Sequence, residues 1–276
     1  MRILVTGATG KVGSRLAKRL ALRGDRVRAL VRDPDRAAWL REHHVELVQG
    51  DLLDHSSLDA AVRDIDAVIH CAAMYFPDDA SERGHAVNDR GTQHLAEAAR
   101  TARVKRFVFT STGLVYGGNG GRPAREDDAC APSPGYFASK LATEHALLAM
   151  EGIDVRILRL AFVYGDGDPH IAEIVPRMRG FLPRQRISIV HHADLARAVM
   201  LVIDTPSPSH HIYNVVSDEA PDLVALFAAV GAPPPDGSAA EAAQVDEVLL
   251  DGRRLREDLG FKPEYPRLRD ALAADA

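Results

Sequence analysis

Tyr136 and Lys140 stand four residues apart in "GYFASK", a spacing that puts both side chains on one face of a helix. The pair could do proton chemistry. An ammonium beside a phenol favours the phenolate, drawing a pKa of about 10 toward neutrality and making tyrosine a usable general acid or base. The same pair is common on solvated helix faces, so its setting decides the reading. "FTSTGLVYGG" (109–118) supplies that setting: a β-rich run that ends on Ser111 and Thr112. Their hydroxyls could hold a carbonyl oxygen and share a proton network with Tyr136, or simply satisfy the backbone where the strand stops.

Bringing a strand end and a helix face together requires a layered scaffold, and the chain's rhythm provides one. "RILVTG" (2–7), "RVRALV" (26–31), "VELVQG" (45–50), "DAVIHCA" (66–72), "RFVFTS" (106–111) and "DVRILRL" (154–160) read as strands, with helical stretches between them. One helix is expected from about Lys11 to Arg23, where Val12, Leu16 and Leu20 recur at helical spacing, and another from about Arg83 to Arg103. Strand and helix in alternation imply parallel strands with right-handed crossovers, hence an α/β fold with a doubly wound parallel sheet. Runs such as Val68-Ile69 and Phe107-Val108-Phe109 lack polar alternation, as strands covered on both faces do.

"TGATGKVG" sets Gly7, Gly10 and Gly13 between the first strand and the first helix, with Thr9, Lys11 and Val12 in the same turn. Glycine serves where the backbone turns tightly, where a pyrophosphate approaches the amides, and where the helix packs on the strand, so the sheet reads as Rossmann-type and dinucleotide-binding. The second strand of such a sheet usually ends on an acid that binds the ribose 2′-hydroxyl of NAD. Here it ends Leu30-Val31-Arg32, and a guanidinium suits the 2′-phosphate of NADP. NADP is therefore expected, with NAD left open by Asp33; Arg32 could instead be a solvated strand end or pair with Asp33 or Asp35. In "GDLLD" (50–54), Asp51 could accept from an adenine amino group with Leu52 over the ring, or merely cap a turn.

Composition narrows the partners. The 276 residues carry 34 basic and 39 acidic side chains, a net charge of −5, which favours neither nucleic acid nor an anionic membrane surface. No apolar stretch approaches the roughly 20 residues needed to cross a bilayer, and the N-terminus lacks the apolar core of a secretory signal. Cys71 and Cys130 give neither a disulfide framework nor metal-ligand spacing, so no metal is expected and a reducing cytoplasm fits. After Leu160, Pro169, Pro176, Pro183, Pro206, Pro208 and "APPPDG" (232–237) interrupt every apolar stretch. The expected division is a dinucleotide-binding domain over 1–163 and a small substrate-binding domain over 164–276, with the strand 211–216 placed to return to the main sheet.

The chain resembles the extended short-chain dehydrogenase/reductases, the group of sugar-nucleotide epimerases, dehydratases and dihydroflavonol-type reductases. Beyond the glycines, Asp51 and "GYFASK", the resemblance rests on "HCAA" (70–73), "VNDRGT" with Asn88, "FTSTGLVYG", "VYGDGD" (163–168), "VHHADLA" (190–196) and "DGRRLREDLGFKP" (251–263). It implies that Tyr136 is the catalytic acid/base and that Lys140 lowers its pKa and binds the nicotinamide ribose. Thr112 falls at the substrate-orienting hydroxyl, with Ser111 its neighbour, and Asn88 supports the active-site network or is structural. Cys71, Ala72 and Ala73 match small residues lying against the cofactor. A homodimer built on the helices bearing Asn88 and Tyr136 is also implied.

Two departures bear on the substrate. Phe162 stands where nucleotide-sugar enzymes carry an asparagine that contacts the substrate's phosphates, and "VHHADLA" has His192-Ala193 where a small apolar residue and an acid are usual. His191 and His192 have no third ligand spaced with them and read as structural. Met74, Tyr75 and Phe76, with Phe162, suggest apolar and aromatic pocket walls, or core packing. The expectation is an NADP-preferring ketone reductase acting on a small, non-nucleotide substrate. The alternatives are a sugar-nucleotide epimerase using the same Thr112, Tyr136 and Lys140, and a non-catalytic dinucleotide sensor.

Overall fold

The computed structural model describes residues 1–75, 81–238 and 247–274; Phe76 lies outside them. Its strands are β1 (Arg2–Thr6), β2 (Arg26–Val31), β3 (Glu46–Gln49), β4 (Ala67–His70), β5 (Arg106–Thr112), β6 (Asp154–Leu160), β7 (Phe162–Tyr164), β8 (Ile189–His191) and β9 (Ile212–Val215). Seven of them form one parallel sheet in the order β3-β2-β1-β4-β5-β6-β9. The sheet is doubly wound, as the alternation of strands and helices implies. Its order reverses between β1 and β4, so the connections leaving those two strands diverge and open a crevice above their C-terminal ends.

The helices are α1 (Lys11–Leu22), α2 (His55–Val62), α3 (Glu82–His85), α4 (Thr92–Thr101), α5 (Tyr136–Leu148), α6 (His170–Ile174), α7 (His192–Asp204), α8 (Leu223–Ala228), α9 (Arg253–Leu259) and α10 (Leu268–Ala274). Leu16, Ala17 and Leu20 of α1 join Leu195, Val199 and Val202 of α7 on one face of the sheet. Leu58 and Val62 of α2 join Leu95 and Ala99 of α4 and Leu147 of α5 on the other. The sheet is thereby covered on both sides, which is why β1 and β4 carry apolar residues without alternation. The helix expected over 83–103 is interrupted by a π-helical turn at Ala86–Gly91, which joins α3 to α4.

The second half of the chain is interleaved with the first. Beyond residue 164 it returns α7 to the sheet face and β9 to the sheet edge, pairing Ile157 with Ile212 and Leu160 with Val215. What remains is a smaller layer: the parallel pair β7-β8, with α6, α8 and α10 around a separate apolar cluster that includes Tyr164, Ile189, Phe227 and Leu268. Asp194, fully buried in the first turn of α7, fastens this layer by accepting the backbone N–H groups of Glu264 and Tyr265.

Candidate active site

The glycine turn is built as its composition requires. Gly7 has a positive φ of 68°, and a Cβ there would lie 2.6 Å from the backbone nitrogen of Ala72, so the turn and the exit of β4 touch. A Cβ on Gly13 would meet the carbonyl oxygen of Gly7 at 2.3 Å. α1 has no acid in its first turn, so its positive end stays available to an anion.

Above this turn lies a cavity of about 460 Å³. Gly7, Thr9 and Gly10 form one wall; Arg32, Asp51 and Leu52 form a second; Cys71, Ala72, Ala73 and Met74 form a third. Thr6, Leu30, Val31, Gly50, Leu53, Arg83 and Val87 complete the lining without having been expected at a cofactor, although Leu30, Val31 and Gly50 adjoin residues that were. Among the described residues the Arg32 guanidinium makes no ion pair or hydrogen bond, whereas Asp33 turns its carboxylate onto the backbone N–H groups of Asp35 (3.0 Å) and Arg36 (3.2 Å). Asp51 caps a turn through the N–H of Leu53 at 2.9 Å while still lining the cavity. Burial pushes the Cys71 thiol up to about 12, so it is no nucleophile at neutral pH. The cavity, the glycine turn and the unpaired cation together fit a dinucleotide.

Val12 packs against the core and Gly13 against the turn, while Lys11 points away to the smaller layer, paired with Glu173 of α6.

Tyr136 opens α5, and Lys140 follows one turn later at 3% exposure. Lys140 Nζ lies 3.9 Å from the ring centre of Phe109 and 6.0 Å from that of Tyr136. The expected depression of the phenol does not result from this arrangement. Burial, with the phenol of Tyr75 adding to it, raises Tyr136 to about 12. Burial likewise lowers Lys140 to about 8, against the opposing pull of Glu144 and Asp89. Tyr75 and Tyr136 have ring centres 5.3 Å apart, and Phe137 packs against both.

Thr112 and Ser111 part company, as adjacent strand residues must. Thr112 Oγ1 accepts the N–H of Leu114 at 3.2 Å, leaving its proton for a ligand oxygen. Ser111 is buried and donates to the Glu144 carboxylate, which Arg159 holds at 2.7 Å, so its hydroxyl proton is committed to that pair. Asn88 also has its side chain engaged: Oδ1 accepts the N–H of Met74 and Nδ2 donates to the Met74 carbonyl, both at 2.8 Å. Phe162 sits in β7 with its ring stacked on His170 at 4.3 Å. His192 bonds Asp168 at 2.8 Å, and His191 accepts the N–H of Ala193, so both act structurally.

A match to the NAD dependent epimerase/dehydratase family runs over residues 3–216. The chain belongs to that family. Its relatives in the family include the 3-diazoavenalumate denitrifying reductase of Streptomyces sp, 30% identical over 100% of both chains. Another is the 3 beta-hydroxysteroid dehydrogenase/Delta 5-->4-isomerase of Mycobacterium tuberculosis, 30% identical over 82% of this chain and 67% of that one. A solved structure described as MoeE5 in complex with UDP-glucuronic acid and NAD superposes with a TM-score of 0.81 at 29% identity, covering 99% of this chain and 97% of that one. As a member of this epimerase/dehydratase family the chain is an enzyme of the extended short-chain dehydrogenase type, a group of NAD(P)-dependent oxidoreductases and epimerases.

Two buried histidines, His70 and His192, carry a measurable consequence. Burial lowers His70 to about 3 and His192 to about 4. Both folded values lie below the unfolded value of about 6.5, so the unfolded chain binds more protons in acid. Their stability contribution is full above about pH 6.5 and falls as the pH drops toward the folded values, by up to about 1.4 kcal/mol per pH unit for each histidine. Urea unfolding should show a lower midpoint at about pH 5 than at about pH 7.5; equal midpoints would contradict the neutral, buried assignment.

Proposed function

We propose that this enzyme is an NADP-preferring ketone reductase acting on a small, apolar, non-nucleotide substrate. The observation that carries the reading is the placement of Tyr136 and Lys140 one helical turn apart on α5 in a chain whose dinucleotide-fitting cavity presents Arg32, unpaired among the described residues. Arg32 would hold the 2′-phosphate, the amides of the glycine turn the pyrophosphate, and Asp51 with Leu52 the adenine. Bound NADPH supplies hydride chemistry at its nicotinamide ring. Thr112 holds the substrate oxygen through its free proton. Tyr136, kept protonated by its raised pKa, gives its phenolic proton to that oxygen, and the Lys140 ammonium supports the tyrosinate left behind. The layer built from β7-β8, α6, α8 and α10 would form the substrate side, with Phe162 and Tyr75 contributing aromatic wall.

A second reading is a sugar-nucleotide epimerase, favoured by the likeness to MoeE5, whose structure holds UDP-glucuronic acid and NAD. Phe162 weighs against it. A ring stacked on His170 donates nothing to a diphosphate, and burying polar oxygens without partners costs several kcal/mol, about 2–7 per group.

Three measurements test these statements. Tyr136→Phe should reduce turnover by about 100-fold or more while leaving cofactor affinity intact, because the hydroxyl moves a proton and adds little to binding. Near-normal turnover with a verified ketone would remove Tyr136 as the acid. Arg32→Ala should weaken NADPH binding by about 10-fold or more and leave NADH binding unchanged, and equal losses for the two would mean that Arg32 does not read the phosphate. Calorimetry with UDP- and dTDP-sugars in the presence of NADP should show no micromolar binding; such binding would promote the epimerase.

A further inference from the structure

His70 ends β4 directly opposite Thr6 of β1, and its ring is fully buried between Phe107 and Phe109, at 5.9 and 5.8 Å. Thr6 Oγ1 lies 2.6 Å from Nδ1, and Thr92 Oγ1 of α4 lies 2.8 Å from Nε2. The surrounding hydroxyls determine the tautomer. Thr92 Oγ1 is 2.6 Å from the carbonyl oxygen of Asn88, which can only accept, so Thr92 commits its one proton there. It must therefore accept from the ring, and Nε2 carries the hydrogen. Nδ1 is then an acceptor, the Thr6 hydroxyl donates to it, and the Thr6 oxygen is left to accept the N–H of Ala72 at 3.3 Å.

The result is a one-directional chain from the Ala72 N–H through Thr6, His70 and Thr92 to the Asn88 carbonyl. Asn88 then closes the circuit with its side chain, holding both backbone groups of Met74. Residues 71–74, one wall of the cavity, are thus pinned at Ala72 from one end of the chain and at Met74 from the other. A protonated ring would lose its acceptor for Thr6. Burial and the neighbouring Lys140 ammonium keep it neutral.

We propose that His70 is a positioning residue: held as the Nε2–H tautomer, it sets the wall at residues 71–74 and thereby the affinity of the cavity for a dinucleotide. The role rests on the cofactor reading given above. It acts through Thr6, Thr92 and Asn88 and does not touch the reacting atoms.

The experiment has two arms. In the first, nitrogen-15 histidine spectra of the wild-type protein near neutral pH should show the His70 hydrogen on Nε2 and an accepting Nδ1; an Nδ1–H or charged ring overturns the proposal without reference to function. In the second, Thr92, which does not line the cavity, is changed. Thr92→Val should raise the Kd for NADPH by about 10-fold with turnover at saturating cofactor near normal, and Thr92→Ser should restore the wild-type Kd. A purely structural role would lower the melting temperature of Thr92→Val and leave the Kd alone, and that outcome overturns the proposal. If the wild-type chain binds neither NADPH nor NADH, the cofactor reading itself falls, and the positioning role with it.

Discussion

Glu144 and Arg159 are charged residues at 0% and 3% exposure, and a charge is stable at such depth only against its partner. Three elements meet at this pair: Glu144 comes from α5, Arg159 from β6, and Ser111 of β5 donates to the same carboxylate. The buried stripe of α5 is largely polar, with Ser139, Lys140, Thr143 and Glu144 in it, so apolar packing alone would not choose the helix's rotation or height. The ion pair does. With Glu144 fixed, Lys140 and Tyr136 follow at one and two turns toward the N-terminus on the same face, beside the end of β5. Arg159 also lies against the ring of Tyr116, whose hydroxyl reaches Asn214 of β9 at 2.9 Å, so the far edge of the sheet is tied to the same point. Breaking such a pair from one side strands the other charge, at about 3–5 kcal/mol.

Around the cavity the electrostatics favour an anion through geometry more than through net charge, which is negative overall. The acid nearest to the end of β2, Asp33, is turned inward onto its own turn, and Arg32, just past β2, and Arg83 of α3 reach the lining. The smaller layer is fastened across this edge by charge as well, Lys11 to Glu173 and Arg19 to Asp166 at 2.9 Å, and by the hydrogen bond of neutral His192 to Asp168. The glycine turn and the substrate-side layer are therefore mechanically connected.

The strands, the glycine turn and the α5 pair were legible because each is written in local pattern: β-rich runs, three glycines, a spacing of four. What escaped depends on distant neighbours. Strand alternation could say that only one of Ser111 and Thr112 faces the site, but choosing between them required Glu144. The Tyr136 pKa follows from burial, which spacing does not encode. Lys11 leaves the cavity for a partner 162 residues away, and "AVNDRG" carries no local mark of a π-helical turn. Arginines inside the buried run "DVRILRL" were the available signal for an internal ion-pair network, since such residues are almost never fully buried unpaired.

β1 occupies the middle of the sheet although it is made first, and its second neighbour, β4, begins only at Ala67. On the ribosome the first strand therefore emerges long before it can be sandwiched. The opposite flank closes later still, because β6 gains its outer partner only when Ile212–Val215 arrives. A nascent chain halted between those points carries unpaired N–H and C=O groups along an apolar margin, which is the usual template for sticking to another chain. The topology that opens the crevice between β1 and β4 thus also makes biosynthesis a race between completing the sheet and association with other unfinished copies.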